Sequence, residues 1–242
     1  MKKILILLIL MNLTILSSVA GNAAQRVDKN IELKQLSDKA WLIQTSLACN
    51  GHLDCNSLLI NDTKDLVLVN TPANDSLTAI LLKCLEKKFH RKVTRVIVSH
   101  FHDDSSGGLQ TTHKQGIASY GLDQTNVLLK PKNKNIDYVF TDSLKITLQT
   151  VHLELFYFGA GHSVDNIVTW IPEEQILFGG CLLKSLEATD KGNIKDADLK
   201  IWPFTVQKVK NRFPGARIVI PGHMAIGDAS LFDYTLKIIA LQ

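Results

Sequence analysis

Short apolar runs alternate with polar turns along most of this chain, and the spacing inside the runs changes twice. Ile31–Gln35, Trp41–Thr45, Ser57–Ile60 and Leu66–Val69 are brief, aliphatic and mostly separated by turn residues, which predicts the strands of an antiparallel meander. From 76 to 89 the period lengthens. Leu77, Ile80, Leu81, Cys84 and Leu85 recur at i, i+3, i+4, i+7 and i+8, one face of a helix that Asp75 is placed to cap. A strand Arg95–Ser99, with Val96-Ile97-Val98 as its buried centre, precedes a helix over Gly108–His113, a strand Ile117–Tyr120 and a helix around Asp123–Leu129. The second half repeats this order. Strands are predicted at Tyr138–Thr141, Leu144–Leu148, Leu153–Phe158, Ile167–Ile171 and Ile176–Phe178. A helix over 202–213 carries Trp202, Val206, Val209 and Phe213 on one face, followed by a strand Arg217–Ile220 and a closing helix from about Asp228 to Leu241. Two halves, each strands first and then helix, predict an α/β chain of two mixed sheets packed face to face with helices outside, a four-layer αββα sandwich. No Pro/Gly linker separates the halves, so 25–242 is expected to be one domain.

The N-terminus has a different character. Lys2 and Lys3 precede an almost unbroken aliphatic run from Ile4 to Ile15, and Ser18-Val19-Ala20 is a small-residue cleavage site. The expected signal peptide is 1–20, with Ala24 as a later alternative end. The run is short for a membrane span, and no Cys near the cleavage point offers a lipid anchor. The mature protein is expected to be exported, to start near Gly21 or Gln25, and to be monomeric.

Composition narrows the function classes. An apolar fraction of 45% and a charged fraction of 21% describe a globular protein. The net charge of +4 is small, and no basic stripe or aromatic stacking motif argues for nucleic acid. Four Cys in an exported chain need an account. Cys49 and Cys55 flank Asn50-Gly51, so a disulfide and two separate thiols both fit. Cys84 reads as a small buried hydrophobe, and Cys181 is left over beside Gly179-Gly180.

The chemistry starts at Ser99-His100-Phe101-His102-Asp103-Asp104-Ser105. If the backbone stays extended, His100 and His102 project to one side, and Asp104 comes one alternation later. Imidazole and carboxylate suit zinc. His162 follows a β-rich run and sits between Gly161 and Ser163. Cys181 follows Gly179-Gly180, and His223 follows Pro221-Gly222. All come just after predicted strands and have Gly beside them, where a sharp turn is expected. Six ligands exceed one catalytic zinc, which keeps about three protein ligands and an open position. They divide into an all-imidazole set, His100, His102 and His162, and a mixed set, Asp104, Cys181 and His223. Of the other histidines, His90 and His113 fall at helix ends and are expected to be solvated. His152 is expected to be structural, and His52 to lie on the surface.

The runs His100-Phe101-His102-Asp103-Asp104, Gly161-His162-Ser163-Val164-Asp165-Asn166, Gly179-Gly180-Cys181 and Pro221-Gly222-His223 resemble the metallo-β-lactamases, and among them the first, di-zinc subclass. The resemblance implies a periplasmic enzyme with two zinc ions that opens the β-lactam ring of penicillins, cephalosporins and carbapenems through a zinc-held hydroxide without an acyl-enzyme, and so confers antibiotic resistance. It also implies that Lys184 binds the substrate carboxylate, that Asn193 polarises the lactam carbonyl, and that Asp104 orients the hydroxide. Three positions depart from the family pattern. Asn70 stands where an Asp is usual beneath the metals, Ser105 follows the Asp104 ligand where several members have Arg, and the substrate-covering loop at Cys49–Asn56 bears Cys and His. A lactone or thioester hydrolase on the same fold is the nearest alternative. Such enzymes usually carry His after the metal Asp and a bridging Asp in place of Cys, against Ser105 and Cys181 here. A non-catalytic zinc-binding protein leaves Lys184 and Asn193 without a role.

Overall fold

The structure is a computed structural model. It describes residues 23–241, so the expected signal peptide lies outside the described residues apart from the alternative end at Ala24. The first sheet has eight strands in sequence order: β1 (Gln25–Asp28), β2 (Ile31–Gln35), β3 (Ala40–Thr45), β4 (Cys55–Asn61), β5 (Leu66–Val69), β6 (Val93–Ile97), β7 (Ala118–Leu122) and β8 (Tyr138–Phe140). β2 to β5 form the expected meander, with β1 added at its edge, and β5 to β8 are parallel, joined by α1 (Asp75–Phe89), α2 (Asp103–Ser106), α3 (Leu109–Lys114) and α4 (Asp123–Leu129). The second sheet runs β13-β12-β11-β10-β9, from β9 (Ser143–Thr147), β10 (His152–Tyr157), β11 (Ile167–Ile171), β12 (Ile176–Gly180) and β13 (Ile218–Pro221); only its β12–β13 pair is parallel. The helices α5 (Trp202–Arg212) and α6 (Ser230–Ala240) complete the chain.

Alternation along the strands explains the layers. In β5, Val67 and Val69 face the second sheet, while Leu66 and Leu68 pack under α1. In β12, Ile176 and Phe178 enter the space between the sheets, and Leu177 packs under α5 and α6. Both faces of these strands are covered, so they read as unbroken apolar runs rather than alternating ones. The result is the four-layer sandwich that the sequence predicts.

Several local expectations change. Asn74, not Asp75, caps α1: its Oδ1 accepts from the Leu77 amide at 2.8 Å, whereas Asp75 accepts from the Thr111 amide and ties α1 to α3. Ile80 is exposed and Leu82 buried, so the apolar face of α1 is rotated from the predicted one, and Cys84 sits half-buried at its edge. Strand β1 has no counterpart in the predicted elements, being short and polar. His113 is not solvated: its Nε2 lies 2.9 Å from Ser119 Oγ and 3.3 Å from Asp137 Oδ2, which fastens α3 to β7. His90 is exposed at the left-handed C-terminus of α1, and His152 pairs with Glu173. No helix among the described residues is long and apolar enough to cross a membrane.

At one end the two sheets are joined by backbone as well as by side chains. The Ile167 amide of β11 donates to the Ser99 carbonyl at 2.9 Å, and the Asn56 amide of β4 donates to the Gly222 carbonyl at 2.8 Å. Phe178 is fully buried between the sheets. Phe178→Ala is expected to cost about 3–5 kcal/mol, read as a lowered urea midpoint with an unchanged slope.

Candidate metal centre

The strand that leads to the first ligands stops early. β6 ends at Ile97, the chain bends through residues 99–102, and His102 is already the N-terminal flank of the four-residue α2. His100 and His102 therefore do not share a side through strand alternation. A tight bend brings them together, with ring centroids 4.8 Å apart. The bend is pinned from below by Asn70, whose Oδ1 accepts from Ser105 Oγ at 2.7 Å and from the Ser99 amide at 3.0 Å. Ser105 Oγ in turn accepts from the Ser99 and His100 amides. Asn70 sits at φ +65°, a left-handed conformation that Asn tolerates better than most residues.

The remaining donors arrive from the second sheet. His162 comes from the loop before β11, Cys181 directly follows β12, and His223 lies just past β13. Of the neighbouring glycines, Gly180 makes the expected turn, at φ +54°. Gly222 serves another purpose: a Cβ there would sit 2.4 Å from Cys181 Sγ, so its missing side chain lets the two ligand segments touch. Asn56, fully buried, donates through Nδ2 to the Pro221 and Met224 carbonyls on either side of His223.

All six predicted ligands converge. One donor atom from each of His100, His102 and His162 lies within 4.8 Å of the others, and the closest approach is His102 Nδ1 to His162 Nε2 at 3.1 Å. In the second trio Cys181 Sγ donates to Asp104 Oδ2 at 3.2 Å, His223 Nε2 donates to the same oxygen at 3.1 Å, and Cys181 Sγ is 3.4 Å from His223 Nε2. The trios meet where His100 Nε2 lies 3.4 Å from Asp104 Oδ1, and both of these atoms are buried without a hydrogen-bond partner. Two inward-facing orphaned donors in an N/O/S cluster are what a bound cation would satisfy.

The outer nitrogens strengthen this. His100 Nδ1 meets Ser99 Oγ at 3.1 Å, His102 Nε2 meets Asp196 Oδ2 at 3.0 Å, and His223 Nδ1 donates to the Asp54 carbonyl at 2.9 Å. Metal-binding imidazoles are usually oriented in this way through their second nitrogen. His162 is instead held against the Trp202 ring, at a centroid distance of 5.8 Å. Asp196 and Asp54 were not singled out in the sequence. Both lie in loops far from the ligands along the chain, and only Asp196 had a signal, three residues after Asn193.

Electrostatics separate the trios. Burial and the neighbouring His100 and Lys184 push His162 down to about 2, and burial also lowers His100, so both are neutral at pH 7. In the second trio burial alone would raise Asp104, but the protonated His223 and the hydrogen bond from Cys181 hold it well below the usual carboxylate range. Burial and Asp104 push the Cys181 thiol up to about 11. Burial opposes charge on His223, yet Cys181 and Asp104 beside it raise its pKa well above the ordinary value.

A cleft of about 470 Å³ opens over this cluster, lined among others by Leu47, His102, Lys132, Lys184 and Asn193. Lys184 is largely buried, its ammonium 5.3 Å from the Trp202 ring centre. Asn193 is exposed, and its Oδ1 accepts from the Lys195 amide at 3.1 Å. Cys49 and Cys55 are free thiols: Cys49 is exposed and accepts from Asn74 Nδ2, whereas Cys55 is buried with Sγ 3.7 Å from His223 Nδ1. His52 lies exposed in the same loop.

Residues 50–223 match the metallo-beta-lactamase superfamily. The chain belongs to that family. It is 38% identical over 225 residues to a metallo-beta-lactamase type 2 of Bacteroides fragilis, covering 92% of this chain and 90% of that protein. A metallo-beta-lactamase type 2 of Bacillus cereus is 36% identical over 86% of this chain and 82% of its own length. The solved metallo-beta-lactamase from Pontibacter korlensis superposes with a TM-score of 0.83 at 32% identity, covering 88% of this chain and all of that one. Asn70 thus supports the ligand bend of a metallo-beta-lactamase fold with a neutral side chain.

Both parts of that support can be separated. Asn70→Gly removes the acceptor of the Ser105 hydroxyl and should cost about 1–3 kcal/mol. Asn70→Ala should cost about 1–2 kcal/mol more, because Ala resists positive φ. Urea denaturation of the metal-free protein checks the order, and an Ala variant as stable as the Gly variant would show that the left-handed backbone does not select Asn70.

Proposed function

We propose that this protein is an exported di-zinc β-lactamase that hydrolyses penicillins, cephalosporins and carbapenems. The observation that carries the reading is the pair of donor trios that meet at His100 and Asp104 on the floor of one cleft. His100, His102 and His162 would hold one zinc, and Asp104, Cys181 and His223 the other. Family membership and the names of the relatives support the β-lactam amide as the bond that is cut. Zinc, when bound, lowers the pKa of a coordinated water to about 7 and polarises a carbonyl as a Lewis acid.

The chain supplies the rest. Lys184 sits in the cleft wall with no acceptor for its ammonium among the described residues, poised for the carboxylate that β-lactams carry beside the ring nitrogen. Burial in that wall strengthens such a pair by keeping water away. The Nδ2 of Asn193 is likewise unclaimed and can donate to the lactam carbonyl as negative charge builds on its oxygen. Asp104, with one oxygen towards His100 and the other towards Cys181 and His223, would orient the attacking water. No side chain needs to attack the carbonyl, so no acyl-enzyme forms.

The mature protein is expected in the periplasmic fraction of a Gram-negative host, starting at Gly21 or Gln25, with turnover of a carbapenem and a cephalosporin that chelator abolishes and zinc restores. Two zinc ions per wild-type chain and one per Cys181→Ser chain would support the assigned split. A protein that binds two zinc ions but opens no lactam would sink the reading.

Proton release offers a second check. At pH 7 the raised pKa values of His223 and Cys181 mean that both still hold protons in the metal-free state, and a metal must displace them. His100 and His162 are already neutral. Zinc at the mixed trio should therefore release about two protons and bind more tightly as pH rises. Calorimetry in buffers of different ionisation enthalpy reads this, and binding of both ions without proton release would contradict the assignment.

A further inference from the structure

The cleft holds a second cation that the reading above does not use. Lys132 ends the short 3₁₀ turn Lys130–Lys132 and lines the same cleft as Lys184. Its Nζ donates to Asp103 Oδ1 at 3.0 Å and to the Phe101 carbonyl at 3.3 Å, and it lies 5.5 Å from the centre of the Phe101 ring. An ammonium has three N–H donors. Two are taken and the third has no partner among the described residues, on a side chain that is 35% exposed.

Its neighbour Lys134 differs. That ammonium donates to the Ser106 and Gly107 carbonyls at 3.2 and 3.1 Å and faces Asp103 Oδ1 at 3.7 Å, with the side chain only 12% exposed. Two of its donors are taken by backbone carbonyls and the charge is paired with Asp103, so Lys134 fastens the loop to the segment that carries the candidate ligands. Asp103 is shared by both lysines and neutralises one of them. The Lys132 ammonium therefore keeps an unpaired N–H in the cleft wall, held there by its contact with the carbonyl of Phe101, the residue before His102.

We propose that Lys132 is a specificity-determining residue that binds a second anionic group, a carboxylate or sulfonate on the acyl side chain, so that the enzyme favours dianionic β-lactams. The inference rests on the lactamase reading. The carboxylate common to β-lactams goes to Lys184, which leaves Lys132 for an anion on the remainder of the substrate. Asp103 limits the gain by holding the ammonium in place and competing for it. A partly exposed pair of this kind contributes roughly 0.2–1 kcal/mol, or up to about fivefold in affinity, and weakens as salt rises.

The test compares benzylpenicillin with its α-carboxylated and α-amino counterparts, using the zinc-loaded protein and its Lys132→Ala and Lys132→Arg variants. The wild type should show a lower KM for the carboxylated compound than for the amino compound. Lys132→Ala should raise the carboxylated-to-benzyl KM ratio by up to about fivefold, with little change in the corresponding kcat ratio, and Lys132→Arg should restore most of it. High salt should shrink the wild-type preference towards that of the Ala variant. Hydrolysis of all three compounds with the same KM ratios in wild type and Lys132→Ala overturns this proposal alone. Failure to hydrolyse any of them overturns the lactamase reading and this proposal with it.

Discussion

One buried carboxylate organises the active end of this molecule. Asp104 accepts from the Cys181 thiol and from His223 through one oxygen, and turns the other towards His100. An ionised carboxylate in an apolar setting is tolerated only when it is surrounded by donors or cations. Here they come from three segments far apart in sequence: the bend after β6, the residue after β12 and the turn after β13. The fold must therefore bring three strand ends within about 3 Å of one side chain, and the backbone hydrogen bonds from Ile167 to Ser99 and from Asn56 to Gly222 do this by joining the sheets at that end.

The same carboxylate explains why the two trios differ chemically. On the imidazole side burial dominates, and His100 and His162 are driven to the neutral form that a metal needs. Near Asp104, negative charge retains protons on His223 and Cys181. Metal-free, the mixed trio pairs Asp104 Oδ2, Cys181 and His223 internally but leaves Asp104 Oδ1 unpaired, and the imidazole trio leaves His100 Nε2 and His162 Nδ1 unpaired. The two halves of one centre thus begin from different protonation states, although they share a border only 3.4 Å wide.

Much of this was legible in the chain. The strands could be read because β5 and β12 are covered on both faces, which gives short unbroken apolar runs between turns. The six candidate ligands could be picked out because the donor types are rare and each follows such a run, and the fold brings them together. What the sequence hid were choices settled by partners far along the chain. Whether Asn74 or Asp75 caps α1 depends on α3, which claims Asp75. His113 looks solvated until β7 places Ser119 and Asp137 beside it. The extended geometry expected for His100 and His102 gives way to a bend because Asn70 and Ser105 take up the amides that a continuing strand would have paired.

The polar groups behind the histidines show how substrate recognition and metal geometry are tied together. The loop that carries Leu47 into the cleft also supplies the Asp54 carbonyl that orients His223, and the Leu47 amide donates to the Asp54 side chain at 2.8 Å. The segment that presents Asn193 also carries Asp196, which holds His102. Each loop lines the cleft on one side and orients a candidate ligand on the other. A change in either loop that reshapes the cleft therefore also tilts an imidazole, and an imidazole that is a few tenths of an ångström out of place weakens both the metal and the reaction it supports. Metal centre and substrate cleft in this protein are accordingly one mechanical unit, and its loops are constrained at both ends.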